Sequence, residues 1–161
     1  MVFPLYSGPQ DPKIFYIYRK GMAEKKGRAP AKYSDKSAGQ PDLVSVFDQI
    51  KKLISKYSKG NYKVIADKPG HFELYYGKEV EIAGRKYPEV AFASLLVQKG
   101  YVGFYFFPVY IDASIKNKIK PELLKTLKGK TCFHIKKNDP VLLKQIGEAL
   151  EAGNKYYSSI F

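Results

Sequence analysis

Apolar residues recur along this chain with two distinct periods, and the changes between them divide it into elements. From Pro41, Leu43, Val46, Phe47, Ile50, Leu53, Ile54 and Tyr57 return every three or four residues, while Asp48, Lys51, Lys52 and Lys56 fall elsewhere. That spacing predicts an amphipathic helix. Pro41 and Asp42 suit its first turn, and Gly60 is expected to stop it. A β-type block follows. Tyr62–Ala66 reads as a short strand before the turn 67–70, His71–Tyr76 as a strand or part of a helix-to-strand passage, and 79–82 and 86–97 flank the glycine loop Ala83-Gly84-Arg85. Gln98-Lys99-Gly100 predicts a second tight turn, and 101–110 is the most apolar strand.

The face assignment of that strand is informative. Tyr101, Gly103, Tyr105, Phe107 and Val109 alternate with Val102, Phe104, Phe106 and Tyr110. Both faces are apolar, so a central strand covered on both sides is expected, with an aromatic groove on one side as the functional alternative. Further on, Pro121-Glu122 opens a short helix with Leu123, Leu124 and Leu127 inward and Gly129 as its stop, and 131–135 is a strand. Asp139 is expected to cap a last helix with Pro140 in its first turn, Leu142, Leu143, Ile146, Ala149 and Leu150 buried, and Gly153 as its end. Helices interspersed with antiparallel strands predict an α+β domain, one sheet packed against helices.

Before residue 41 the pattern changes. Eight lysines and arginines stand against Asp11, Glu24 and Asp35, and proline and glycine interrupt every few residues. Residues 1–40 are therefore expected to form a basic, flexible tail, with 14–18 as a short β-type run. Met22 reads as an alternative natural start, which would make 1–21 an upstream extension. The domain is expected over 41–155, with 156–161 as a C-terminal tail.

Charge narrows the partner class. The 161 residues carry a net charge of +13, which favours anionic partners. Only Arg19, Arg28 and Arg85 are arginines, so bidentate reading of guanine or phosphate is weakly provided for. A nucleic-acid partner is thus a weaker expectation than a small anion or an acidic protein. No apolar run approaches the ~20 residues of a membrane helix, and the N-terminus lacks the charge and apolar core of a secretory signal. A single cysteine, Cys132, excludes an internal disulfide framework and fits a reducing cytoplasm.

The stretch 121–137 concentrates the candidate chemistry, with Cys132, His134 and five lysines against one glutamate. Lys128, Lys130, Lys136 and Lys137 are the anion-binding candidates, and Tyr75, Tyr105, Phe107 and His134 the aromatic-groove candidates. Cys132 and His134 share a strand face. That placement allows a thiolate activated by its basic neighbours, half of a metal site, or a buried structural cysteine, the last being the commonest fate of the residue type. Lys128-Gly129-Lys130 lacks the spacing of a phosphate-binding P-loop and reads as a helix C-cap. No catalytic motif appears, which places an enzyme third among the function classes.

The run GYVGFYFFPVY, followed by PELLKTLKGKTCFHIKKNDPVLLKQIGEAL, resembles the YdhG-like domain of unknown function. Members pair a GFYF-P strand with a downstream L-KGK-C segment and a leucine-rich final helix, and HFELYYGKEVEI matches their tyrosine-rich strand and hairpin. The resemblance spans about Pro41 to Gly153. It implies a compact α+β domain and, through one branch, intracellular iron delivery in a role similar to frataxin. Iron carriage needs exposed carboxylates. Here Glu73, Glu79, Glu81 and Glu89 are scattered, and a +13 surface repels cations. The leading expectation is a non-enzymatic binding domain without a resident cofactor, with iron carriage as the alternative.

Overall fold

The computed structural model describes residues 34–82 and 85–161. The 14–18 run, the Met22 start and most of the expected basic tail lie outside them, as does the Ala83-Gly84 tip. The fold is α+β, as the periodicities predict. Helix α1 (Pro41–Ser55) leads to β1 (Tyr62–Lys68), β2 (His71–Tyr76), β3 (Val80–Ile82), β4 (Arg85–Tyr87), β5 (Val90–Gln98) and β6 (Tyr101–Phe106). One-turn helices α2 (Pro108–Ile111) and α3 (Pro121–Leu124) flank a 3-10 segment, before β7 (Leu127–Lys128), β8 (Cys132–Ile135) and α4 (Pro140–Ile160). Six strands form one antiparallel sheet in the order β1-β2-β5-β6-β8-β7, and β3 and β4 pair separately.

Both long helices pack on one face of the sheet. Leu43, Val46, Phe47, Ile50 and Ile54 of α1 and Ile146, Ala149, Leu150 and Tyr157 of α4 join Phe72, Leu74, Phe92, Leu95, Val97, Val102, Phe104, Phe106, Phe133 and Ile135 in one core. A register shift between β2 and β5 leaves Phe92 opposite no β2 residue. A bulge of this kind lets neighbouring side chains share a face, and Phe92 packs against Phe106 and Tyr157 of that core. Among the described helices none is long and apolar enough to cross a membrane.

Several expected boundaries move, each for a tertiary reason. Residues 34–40 are not a loose tail, because Lys36 Nζ donates to Gln98 Oε1 at 2.8 Å and the Gln40 amide bonds Gln98 O and Gly100 N. Gln40 spends its side chain on that β5–β6 turn and leaves α1 without a side-chain cap. Helix α1 ends at Ser55, and Gly60 (φ 63°) serves the turn into β1 instead. The expected 86–97 strand is divided into β4 and β5 at Pro88-Glu89. The 101–110 strand stops at Phe106, where Pro108 starts a helical turn.

Gly129 (φ 73°) is not a helix cap, since α3 has already ended at Leu124 and the glycine forms the β7–β8 turn. Gly153 does not end α4, and 156–161 is not a tail. Asp139 caps α4 as expected, with Oδ1 accepting from Val141 N at 2.9 Å, but the helix continues for 21 residues. Its last turns bury Tyr157 completely, and this burial carries the helix past the glycine.

Burial sets an alkaline limit on stability. The Tyr157 hydroxyl donates to Ala91 O at 2.6 Å, and the Tyr62 hydroxyl donates to Asn154 Oδ1 at 2.9 Å. Removal from water pushes both phenols up, Tyr157 strongly, with neighbouring tyrosines adding to the shift. A phenol raised in the folded state stabilises the fold below the unfolded value of about 10, and that contribution falls away as pH rises above it. The urea midpoint is expected to be insensitive to these groups at neutral pH and to drop steadily above pH ~10. A flat midpoint through that alkaline range would contradict the buried hydrogen-bonded phenols.

Candidate functional site: a basic aromatic edge on the second face of the sheet

The described helices leave the second face of the sheet to a different set of side chains. Register places Glu73, Ser94, Tyr105, Cys132 and Lys128 in one row across β2, β5, β6, β8 and β7. The next row holds His71, Leu96, Gly103 and His134. The face is polar at its centre. Glu73 is buried and accepts from His71 Nε2 at 2.8 Å, and the buried Ser94 hydroxyl has no hydrogen-bond partner among the described residues.

Toward β8 and β7 the face becomes open and basic. The Tyr101 and His134 rings stack with centroids 3.8 Å apart and planes 10° from parallel, and both are half-buried. His134 resists protonation through partial burial first, and then through the charges of Lys128 and Lys136. Those exposed lysines come from opposite ends of the β8 hairpin region, and pairing alone brings Lys128 beside Cys132 on the His134 face. Gly103 lies directly opposite His134, and a Cβ there would stand 2.9 Å from Cε2 of Tyr105. Without that Cβ the Tyr105 ring leans over the glycine, continuing the aromatic surface.

The structure therefore gathers Lys128, Lys136, His134 and Tyr105 from the expected residues and separates the others. Lys137 is exposed past the end of β8, and the lysine charges that bear on His134 are those of Lys128 and Lys136. Lys130, on the β7–β8 turn, has its ammonium 6.0 Å from the Tyr110 ring. Tyr75 and Phe107 are buried, so neither offers an open groove wall. Tyr101 was not among the expected site residues. The signal for it was its place on the Tyr101/Gly103/Tyr105 face, but its ring partner is two strands away in sequence.

Cys132 is neither an activated thiolate nor a core residue. It is half-buried on the second face, and desolvation pushes its thiol up against the smaller opposing effect of a hydrogen bond with Tyr105. Among the described residues no group of three His, Cys, Asp or Glu side chains converges to hold a metal ion. A shallow cleft beside α1 mixes Asp48 and Asp67 with Lys51 and Lys68, and its charges cancel. The β8 edge thus brings half-buried aromatic rings and exposed lysines together on one described surface. No known family, curated protein or solved structure matches this chain.

Proposed function

We propose that this protein is a non-enzymatic binding domain for anionic ligands, and that the anion lies over His134 between Lys128 and Lys136. The observation that carries this reading is the stacked Tyr101–His134 pair, half-open and subject to two lysine charges. Positive charge that depresses the imidazole is charge an anion relieves, so ligand and proton bind His134 cooperatively. The buried carboxylate of this face is remote from them. Glu73 is bound to His71 on β2, three strand spacings or roughly 14 Å from β8. The YdhG-like resemblance is compatible with such a domain. Iron carriage, its alternative implication, has no convergent ligand set to favour it among the described residues.

Tripolyphosphate is a suitable probe, and the chain's two histidines make the readout specific. Titration is expected to shift the His134 ring resonances in NMR and leave those of His71 in place. The His134 pKa should rise on saturation, and affinity should strengthen as pH falls through the range in which its imidazole protonates. Added salt should weaken binding. The double variant Lys128→Gln/Lys136→Gln should bind about tenfold less tightly, equivalent to two weak charge contacts. Unchanged affinity in that variant, or shifts confined to His71, would overturn the reading.

A further inference from the structure

We propose that the open edge of the sheet binds single-stranded nucleic acid with little sequence preference, a base stacking on the Tyr101–His134 surface and the backbone phosphates meeting Lys128 and Lys136. This rests on the anion-site reading and adds to it the uncharged half of the ligand. A bare anion leaves the rings unexplained. Tyr101 and His134 are half-exposed and stacked with planes 10° apart, Tyr105 leans over Gly103 beside them, and all three project from one face of β6 and β8. Flat rings on an antiparallel sheet, standing partly in water, match the π-face that every base presents.

The lysines have the arrangement a chain of phosphates requires. Lys128 lies opposite Cys132, and Lys136 lies four residues farther along the β8 direction, with His134 midway. At the ~3.3 Å per residue of extended chain, the two are about 13 Å apart along the β8 direction, Lys136 standing just past the end of the strand. Charge is thus strung along a line through the aromatic surface, which suits phosphates two nucleotides apart on one strand with a base between them. Lysine supplies point charges without the fork that reads guanine, so base identity goes unread. The overall charge of +13 adds long-range attraction to any polyanion. An acidic protein segment would satisfy the lysines and leave the rings unmatched. A duplex keeps its base faces stacked on one another and offers none to Tyr101.

The test compares, on the full chain, a fluorescent oligouridylate with linear polyphosphate of equal charge, by anisotropy and competition. The oligouridylate is expected to bind roughly tenfold more tightly, the increment of one stacked base. Tyr101→Leu should bring that ratio close to one, and Tyr101→Phe, which keeps a ring, should retain it. Lys128→Gln/Lys136→Gln should weaken both probes and preserve the ratio. Matched urea midpoints for these variants establish that folding is intact. Equal affinity for the two probes overturns the inference while leaving an anion site standing. Failure of both probes to bind overturns the anion site as well. Preference for a duplex, or a ratio unchanged in Tyr101→Leu, also overturns it.

Discussion

Phe92→Ala is expected to destabilise the protein by about 3–5 kcal/mol. Its ring is fully buried at the centre of an aromatic cluster, with centroids 4.9 Å from Tyr62, 5.3 Å from Tyr157, 5.9 Å from Phe106 and 6.0 Å from Tyr57. These partners come from β1, α4, β6 and the turn that follows α1, so no single element can move inward to fill the space. The cost is therefore the lost transfer energy of the ring plus a persistent cavity. A domain of ordinary stability, about 5–15 kcal/mol, would lose a large fraction of it. Urea unfolding followed by circular dichroism reads the change. Phe92→Leu, which refills most of the volume, should cost under about 1.5 kcal/mol. An alanine variant within about 1 kcal/mol of wild type, roughly the mean effect of any substitution, would mean that the cluster is not the keystone of this core.

Gly153→Val is expected to cost about 3 kcal/mol. A Cβ at this position of α4 would stand 2.6 Å from Cζ of Phe106 and 2.9 Å from Cγ of Pro108. Phe106 has nowhere to withdraw, being fully buried with Phe104 stacked on one side and Phe92 on another. The helix must lift away from the sheet or the ring must leave its rotamer, and either disturbs packing across the layer. Gly147 of the same helix is the control, because a Cβ added there would meet nothing within 4 Å. Gly147→Ala should stabilise by about 0.5–1 kcal/mol, through helix propensity alone. Opposite signs from two glycines on one helix would separate close packing from propensity. Equal effects would refute the tight approach of α4 to β6.

The two helical signals were legible to different degrees. The α1 stripe Leu43, Val46, Phe47, Ile50 and Ile54 is buried as its spacing requires, and Asp139-Pro140 starts α4 as cap and first-turn residue. The glycines were ambiguous. Gly153 sits where a C-terminal stop would, yet it marks a close approach of helix to sheet. Gly129 follows a helical turn by several residues but turns a hairpin. A missing side chain permits both a positive φ and a close contact, and the local sequence does not say which is used. The site shows the same division. Lys128, His134 and Lys136 were evident in the 121–137 concentration, whereas Tyr101 acquires its role through stacking on His134 from another strand.

By itself, the sequence determined the alternation of helical and strand segments, the turns at Gly70 and Gly100, the α+β class, the basic charge and the absence of a disulfide framework. These depend on the order of side chains over a few residues, where period, φ preference and charge act directly. Tertiary structure alone decided the order β1-β2-β5-β6-β8-β7, the bulge at Phe92, the continuation of α4 past Gly153 and the joining of Tyr101, His134, Lys128 and Lys136 on one face. Each of those depends on which strands become neighbours and which surfaces meet. That choice is made by burial summed over residues far apart in the chain, and no local window contains it.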